Sequence, residues 1–256
     1  MLELNYKSFG QGDPIVILHG LFGALDNWQT LGKKLAENFT VYLVDQRNHG
    51  RSPHDKAHTY AAMAEDLHHF MESHWMFKAH IIGHSMGGKT AMAFARAHPD
   101  MVDKLVVVDI APKAYQGGHE PIFKALQGLD LSRVESRGDA EKALQTEIES
   151  LGIRQFLLKN LSRNKDGRYR WKMNLDALWA HYTDILAGPP EAAVPYPGDT
   201  LFVRGGRSDY ITDDDLSLLK QHFPNHRLET VAGAGHWVHA EAPAQLLKHL
   251  KRFLEE

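Results

Sequence analysis

Gly83-His-Ser85-Met-Gly87 is the stretch whose residue types and spacing point most directly to chemistry. A serine framed by glycines at i−2 and i+2 is the nucleophile elbow, in which a sharp turn holds the hydroxyl out from the backbone. The flanking glycines allow strand and helix to approach where a Cβ would collide. The residues around it fit that geometry. Ile81-Ile82 form a short apolar run, and Lys89 to Arg96 read as a helix. The spacing therefore predicts strand, tight turn, helix, with the helix N-terminus aimed at the reacting oxygen. Gly83, four residues, then Gly88-Lys89-Thr90 also satisfies the phosphate-loop pattern. That reading predicts the same local structure and a Mg²⁺-dependent nucleotide hydrolase, so the rest of the chain must decide between them.

A serine nucleophile needs a base, an acid that orients the base, and donors for the developing oxyanion. All are available in a consistent chain order. His19-Gly20-Leu21 ends an early apolar run, Asp109 and Asp209 follow later ones, and His236 lies in Gly233-Ala-Gly-His236 just before the last helical pattern. A phosphate-loop protein explains none of these, and its loop usually follows the first strand. Ser85 is therefore expected to be the nucleophile and His236 the base. The backbone N–H groups of Leu21 and Met86 form the expected oxyanion hole, with Phe22 the alternative to Leu21. Asp109 and Asp209 both stay open as the acid, and Ser208 could support whichever acid serves. His84 and His239 flank the motifs and read as packing or supporting groups. His54, His58, His68 and His69 carry no assigned role. The histidine spacings match no strong metal-ligand pattern.

The elements that must position these residues alternate. Runs at Pro14–Leu18, Thr40–Asp45, Ile81–Ile82, Leu105–Ile110, Thr200–Arg204 and Arg227–Val231 predict strands. Helices are expected over Asp26–Asn38 (with Asp26 as N-cap), Tyr60–Trp75, Asp213–His222 and Pro243–Glu256. This alternation predicts a mostly parallel twisted sheet with helices on both faces. Gln46 to Pro53 is a polar turn-rich loop in which Asp45 and Arg47 tie turns together and His49 bonds to backbone. From about Gly118 to Leu186 only amphipathic helical patterns and no convincing buried strand are evident. The expected organisation is a core of 1–112 and 188–256 with a helical cap insertion over 113–187. Its Phe123, Phe156, Leu157, Trp179 and Tyr182 are candidates to line a water-excluding pocket.

Composition narrows the partners. In 256 residues, 43% are apolar and 24% charged, and the net charge is −3 with 17 histidines neutral. That balance gives no case for nucleic acid or an anionic membrane surface as partner. No apolar run approaches the roughly 20 residues that span a bilayer, and the first residues lack a signal-peptide pattern. The chain has no cysteine, which excludes a thiol nucleophile and disulfides and is compatible with a cytoplasmic location. Oligomeric state does not follow from the sequence.

The chain resembles the α/β-hydrolases, near the bacterial YbfF-type esterases and their mitochondrial relatives. The residues that carry the resemblance are His19-Gly-Leu-Phe-Gly23, Asp45-x-Arg47-Asn-His-Gly50-x-Ser52-Pro53, Gly83-His-Ser-Met-Gly-Gly-Lys89, Val108-Asp-Ile-Ala-Pro112, Asn174-Leu-Asp-Ala-Leu178 and Gly233-Ala-Gly-His-Trp-Val-His-Ala240. The resemblance implies an α/β-hydrolase fold and a serine carboxylesterase acting on short acyl esters or thioesters through an acyl-enzyme, with no cofactor. It also implies Asp109 as the acid, whereas Asp209 holds the usual superfamily position. YbfF-type relatives often lack a carboxylate there, and this chain has both. A carbon–carbon bond hydrolase or a perhydrolase keeps the same serine and is the alternative within the fold. An aspartate nucleophile, as in dehalogenases and epoxide hydrolases, is excluded by Ser85.

Overall fold

The computed structural model describes residues 1–190 and 194–256. Among them the strands are β1 (Tyr6–Phe9), β2 (Pro14–Leu18), β3 (Thr40–Val44), β4 (Ala79–His84), β5 (Val102–Val108), β6 (Leu161–Arg163), β7 (Tyr169–Trp171), β8 (Thr200–Gly205) and β9 (His226–Val231). The helices are α1 (Gln29–Leu35), α2 (Tyr60–Ser73), α3 (Met86–Ala97), α4 (Glu120–Gly128), α5 (Arg137–Gln145), α6 (Leu151–Leu158), α7 (Leu175–Ala180), α8 (Tyr182–Leu186), α9 (Leu216–His222), α10 (Val238–Glu241) and α11 (Pro243–Glu255).

The main sheet runs β1-β3-β2-β4-β5-β8-β9 and is parallel except for β1, which pairs antiparallel with β3. Its central strands carry continuous apolar stretches, Ile15–Leu18, Ile81–Ile82, Leu105–Val108 and Leu201–Val203, because both faces are covered. Side chains alternate across a strand. Val16 and Leu18 of β2 therefore enter one core cluster with α2 and α3, while Ile15 and Ile17 enter another with α1 and α11. β5 divides in the same way, Leu105 and Val107 against Val106 and Val108. The strand order reverses at β2, which lies between β3 and β4. Crevices at such a reversal, outside the carboxyl ends of the strands, are where open α/β sheets bind ligands.

Three local expectations need correction. The run Asp26–Asn38 opens as a 3-10 turn over Leu25–Trp28 before α1, and Asp26 caps nothing; it pairs with Lys7 at 2.6 Å. β1 was not predicted. The stretch between β5 and β8 is not purely helical: α4 to α8 are joined by the antiparallel pair β6 and β7. Within that stretch, α8 is fastened to the helix after the elbow. The Lys89 ammonium donates to the carbonyls of Ile185, Leu186 and Ala187. These are the C-terminal acceptors that a short helix leaves open. Lys89 thus serves as a helix cap, which explains the phosphate-loop coincidence without a nucleotide.

Candidate active site

Ser85 sits between β4 and α3 with φ 52° and ψ −119°. A non-glycine residue in this region stores backbone strain of about 1–3 kcal/mol, held only when its surroundings over-determine it. They do so here. The Ser85 N–H donates to Val108 O at 3.0 Å, extending the β4–β5 ladder past the strand end. A Cβ on Gly83 would lie 2.2 Å from Gly87 O, and one on Gly87 would lie 2.5 Å from both Leu18 O and His19 O. Both positions therefore require glycine for close backbone approach.

Asp109 directly follows β5 and is fully buried, also with φ 52°. Its N–H donates to Val203 O at 2.8 Å. Its carboxylate receives three donors: Gly205 N–H at 2.9 Å, Ser208 Oγ–H, and His236 Nδ1–H at 2.8 Å. An acceptor-only partner at Nδ1 fixes the imidazole proton there and leaves Nε2 to accept. Ser85 Oγ lies 3.0 Å from that Nε2. The Tyr210 ring stacks on the His236 imidazole at 3.8 Å between centroids. His84 donates from Nε2 to His236 O at 2.8 Å.

The structure thus joins Ser85, His236, Asp109 and Ser208 in one hydrogen-bonded chain. It does not bring Asp209 into it. That residue is exposed, and among the described residues no hydrogen bond or ion pair links it to His236. The resemblance pointed to Asp109; residue spacing alone did not choose.

The His19-Gly20-Leu21 turn lies against the elbow, since a Cβ on Gly20 would fall 3.2 Å from the Ser85 Cβ. Met86 is the first residue of α3, so its N–H has no intrahelical acceptor. His19 is held from both ring nitrogens: Gln46 N–H donates to Nε2 at 3.0 Å, and Nδ1–H donates to Gly20 O at 2.8 Å. Beneath, Asp45 accepts from Leu25 N–H, Arg51 N–H and the Asn5 amide. The loop after β3 is therefore a brace for the His19-Gly20-Leu21 turn, and His49 bonds to Arg47 O within it.

Two cavities meet at Ser85. A narrow one of ≈ 50 Å³ is lined by His236 and by Phe22, Ile122, Phe156, Leu157 and Trp237. A wide one of ≈ 390 Å³ is lined by Met86, Lys113, Gln116, His119, Asp209 and Tyr210 among others. Phe156 and Leu157 are where the sequence placed them. Phe123, Trp179 and Tyr182 instead pack on one another as a ring cluster.

Burial lowers the affinity of several imidazoles for protons. It holds His19 below its usual range and His49 and His84 well below it, and it brings His58 and His239 down to about 3. A base whose folded-state pKa is depressed contributes stability that is complete above its unfolded value, about 6.5. That contribution is lost as pH falls from there toward 3, because only the unfolded chain takes up the proton. His58 and His239 alone should each cost about 2 kcal/mol by pH 5. The melting temperature is expected to fall by about 10 °C between pH 7 and pH 5. A flat melting curve over that interval, read by circular dichroism, would contradict the buried neutral assignment.

Known proteins give an independent view of the same chain. The family described as alpha/beta hydrolase fold matches residues 13–243. The chain is 40% identical to Esterase YbfF of Escherichia coli, over 95% of this chain and 93% of that one. It is 40% identical to an sn-1-specific diacylglycerol lipase of Mus musculus, over 99% of this chain and 85% of the relative. A solved structure described as a marine microorganism esterase superposes with a TM-score of 0.97 at 45% identity, covering 99% of this chain and 100% of that one.

Proposed function

The chain belongs to the α/β-hydrolase fold family and is a carboxylic ester hydrolase, and from that premise we propose a serine esterase that works through an acyl-enzyme. The observation that carries this reading is the unbroken run from Ser85 Oγ through His236 Nε2 and Nδ1 to Asp109, at 3.0 and 2.8 Å. Ser85 Oγ attacks the ester carbonyl while His236 Nε2 takes its proton. The tetrahedral oxyanion is received by the N–H groups of Met86 and Leu21, each such donor supplying about 3 kcal/mol. His236 returns the proton to the departing alkoxide, leaving Ser85 acylated. Water then attacks the acyl carbon, with His236 again the base, and the acid leaves. Asp109 keeps the imidazole in the required tautomer and stabilises its cation; Ser208 and Gly205 hold Asp109. Residues 113–187 act as a cap over Ser85, and short acyl groups are the favoured substrates.

Two measurements test this. An organophosphonate should modify the wild-type protein on the peptide that contains Ser85 and leave Ser85→Ala unmodified. The rate on p-nitrophenyl esters should be highest for short acyl groups and decline as the chain lengthens. Modification elsewhere, or equal hydrolysis by the Ser85→Ala protein, would sink the serine mechanism. A profile that rises with length would sink the short-chain preference alone.

A further inference from the structure

The two cavities at Ser85 differ in what they can offer a substrate. Resting on the esterase reading above, we infer that the narrow cavity receives the leaving alcohol and the wide one the acyl group. The preferred substrate class is then an ester of a polar acyl group with a small apolar alcohol.

Orientation follows from the proton. The leaving oxygen must be reached by the group that protonates it. His236 lines the narrow cavity and not the wide one. Toward the wide cavity stands Tyr210, whose ring covers a face of the imidazole. The acyl substituent takes the remaining direction from the tetrahedral carbon, beside Met86 and Lys113. Polarity follows from spare hydrogen-bonding capacity. In the wide cavity, among the described residues, Gln116 and Asp209 make no side-chain hydrogen bond, and His119 bonds only through Nδ1 and its backbone, leaving Nε2 open. The Lys113 ammonium has three N–H groups and one partner, Asp215. A hydroxyl or oxo group on the acyl chain can be satisfied there. In the narrow cavity most of the polar atoms are already engaged: both His19 nitrogens, His84 Nε2, and Asn27 Oδ1 by Ala24 N–H. Among the described residues Trp28 Nε1 and His239 Nδ1 have no partner, and His119 borders both cavities. The rest of its lining is mainly Phe22, Ile122, Ile153, Phe156 and Trp237. A propyl chain placed there packs against these carbons, whereas an alcohol hydroxyl must reach one of the few open polar atoms.

The decisive substrates are constitutional isomers with the same groups on opposite sides of the ester: propyl 3-hydroxybutanoate and 3-hydroxybutyl propanoate. Alkyl esters are required, because an alkoxide departs only with a proton from His236, whereas p-nitrophenoxide leaves without one in either orientation. The expected kcat/KM for the propyl ester is about tenfold the higher. Ile122→Phe, which fills the narrow cavity, should depress propyl esters about tenfold relative to methyl esters of the same acid. It should leave the shape of the acyl-length profile at fixed methyl alcohol as in the wild type. Equal or reversed rates on the isomers would overturn the assignment, as would an Ile122→Phe effect that appears in the acyl-length profile. Phosphonate labelling of Ser85 is read on the same samples. If labelling occurs and the isomer result fails, the cavity assignment is wrong; if labelling itself fails, the esterase mechanism beneath it is wrong.

Discussion

Asp109→Asn should lower kcat on a p-nitrophenyl ester by about 10³- to 10⁴-fold with KM nearly unchanged, while Asp209→Asn should change either constant by less than about threefold. The difference comes from the number of donors around the buried carboxylate. Gly205 N–H occupies Oδ1, and Ser208 Oγ–H shares Oδ2 with His236 Nδ1–H. An asparagine has one oxygen and an NH₂ group in the same space, so the amide must turn a donor toward one of these three. If it faces the imidazole, Nδ1 must accept, the proton moves to Nε2, and Ser85 loses its base. Asp209 is exposed and makes no bond to this assembly, so water can replace whatever it does. Thermal melts of the two variants keep folding apart from chemistry. A loss on Asp209→Asn equal to that on Asp109→Asn would mean that the catalytic geometry differs from the one described.

The elbow was legible in the sequence because its constraint is local. The close approaches at Gly83 and Gly87 involve backbone within a few residues or at the neighbouring β2, and glycine is the only residue type that meets them. His236 was legible through chain order and its glycine-rich turn. The acid was not, because the deciding fact is tertiary. Asp109 and Asp209 both follow core strands, β5 and β8, which are neighbours in the sheet. Only the left-handed turn at Asp109, which swings its carboxylate under His236, separates them, and aspartate tolerates that conformation without any sequence mark. β1 escaped because it is an exposed edge strand without the apolar alternation of a half-buried one. The β6–β7 hairpin escaped because three residues a side are too few for a period to register. The cap aromatics teach the same lesson. Helical spacing says which side chains share a face, but not whether that face meets a cavity, as at Phe156, or other rings, as at Phe123 and Trp179.

The brace behind the oxyanion turn should carry the largest single stability effect. Arg47 meets Asp66 through two parallel bonds, Nε to Oδ2 at 2.6 Å and Nη2 to Oδ1 at 2.9 Å, with both side chains buried. Asp66 also accepts from Leu2 N–H, and Arg47 donates to Ala57 O. Removing Arg47 leaves the Asp66 charge buried and unpaired, and removing Asp66 leaves Arg47 only the longer, half-exposed contact to Asp55 at 3.6 Å. Breaking a buried pair in this way costs about 3–5 kcal/mol, whereas replacing both with apolar residues of similar volume is often close to neutral. Asp66→Leu and Arg47→Met should each lower the urea midpoint steeply, and the double variant should recover most of the loss. The coupling energy then reports the pair itself rather than its desolvation. The pair also reaches the chemistry by a short route. Arg47 adjoins Gln46, whose backbone N–H and side-chain amide hold His19 Nε2 and His19 O, and His19 leads directly into Gly20 and Leu21. The surviving fraction of an Asp66→Leu protein should therefore turn over more slowly per phosphonate-titrated serine, while the double variant regains the wild-type rate. Additive losses in the double variant would show that the loop after β3 does not act as one unit, and a full rate in the single variant would show that the oxyanion turn stands without it.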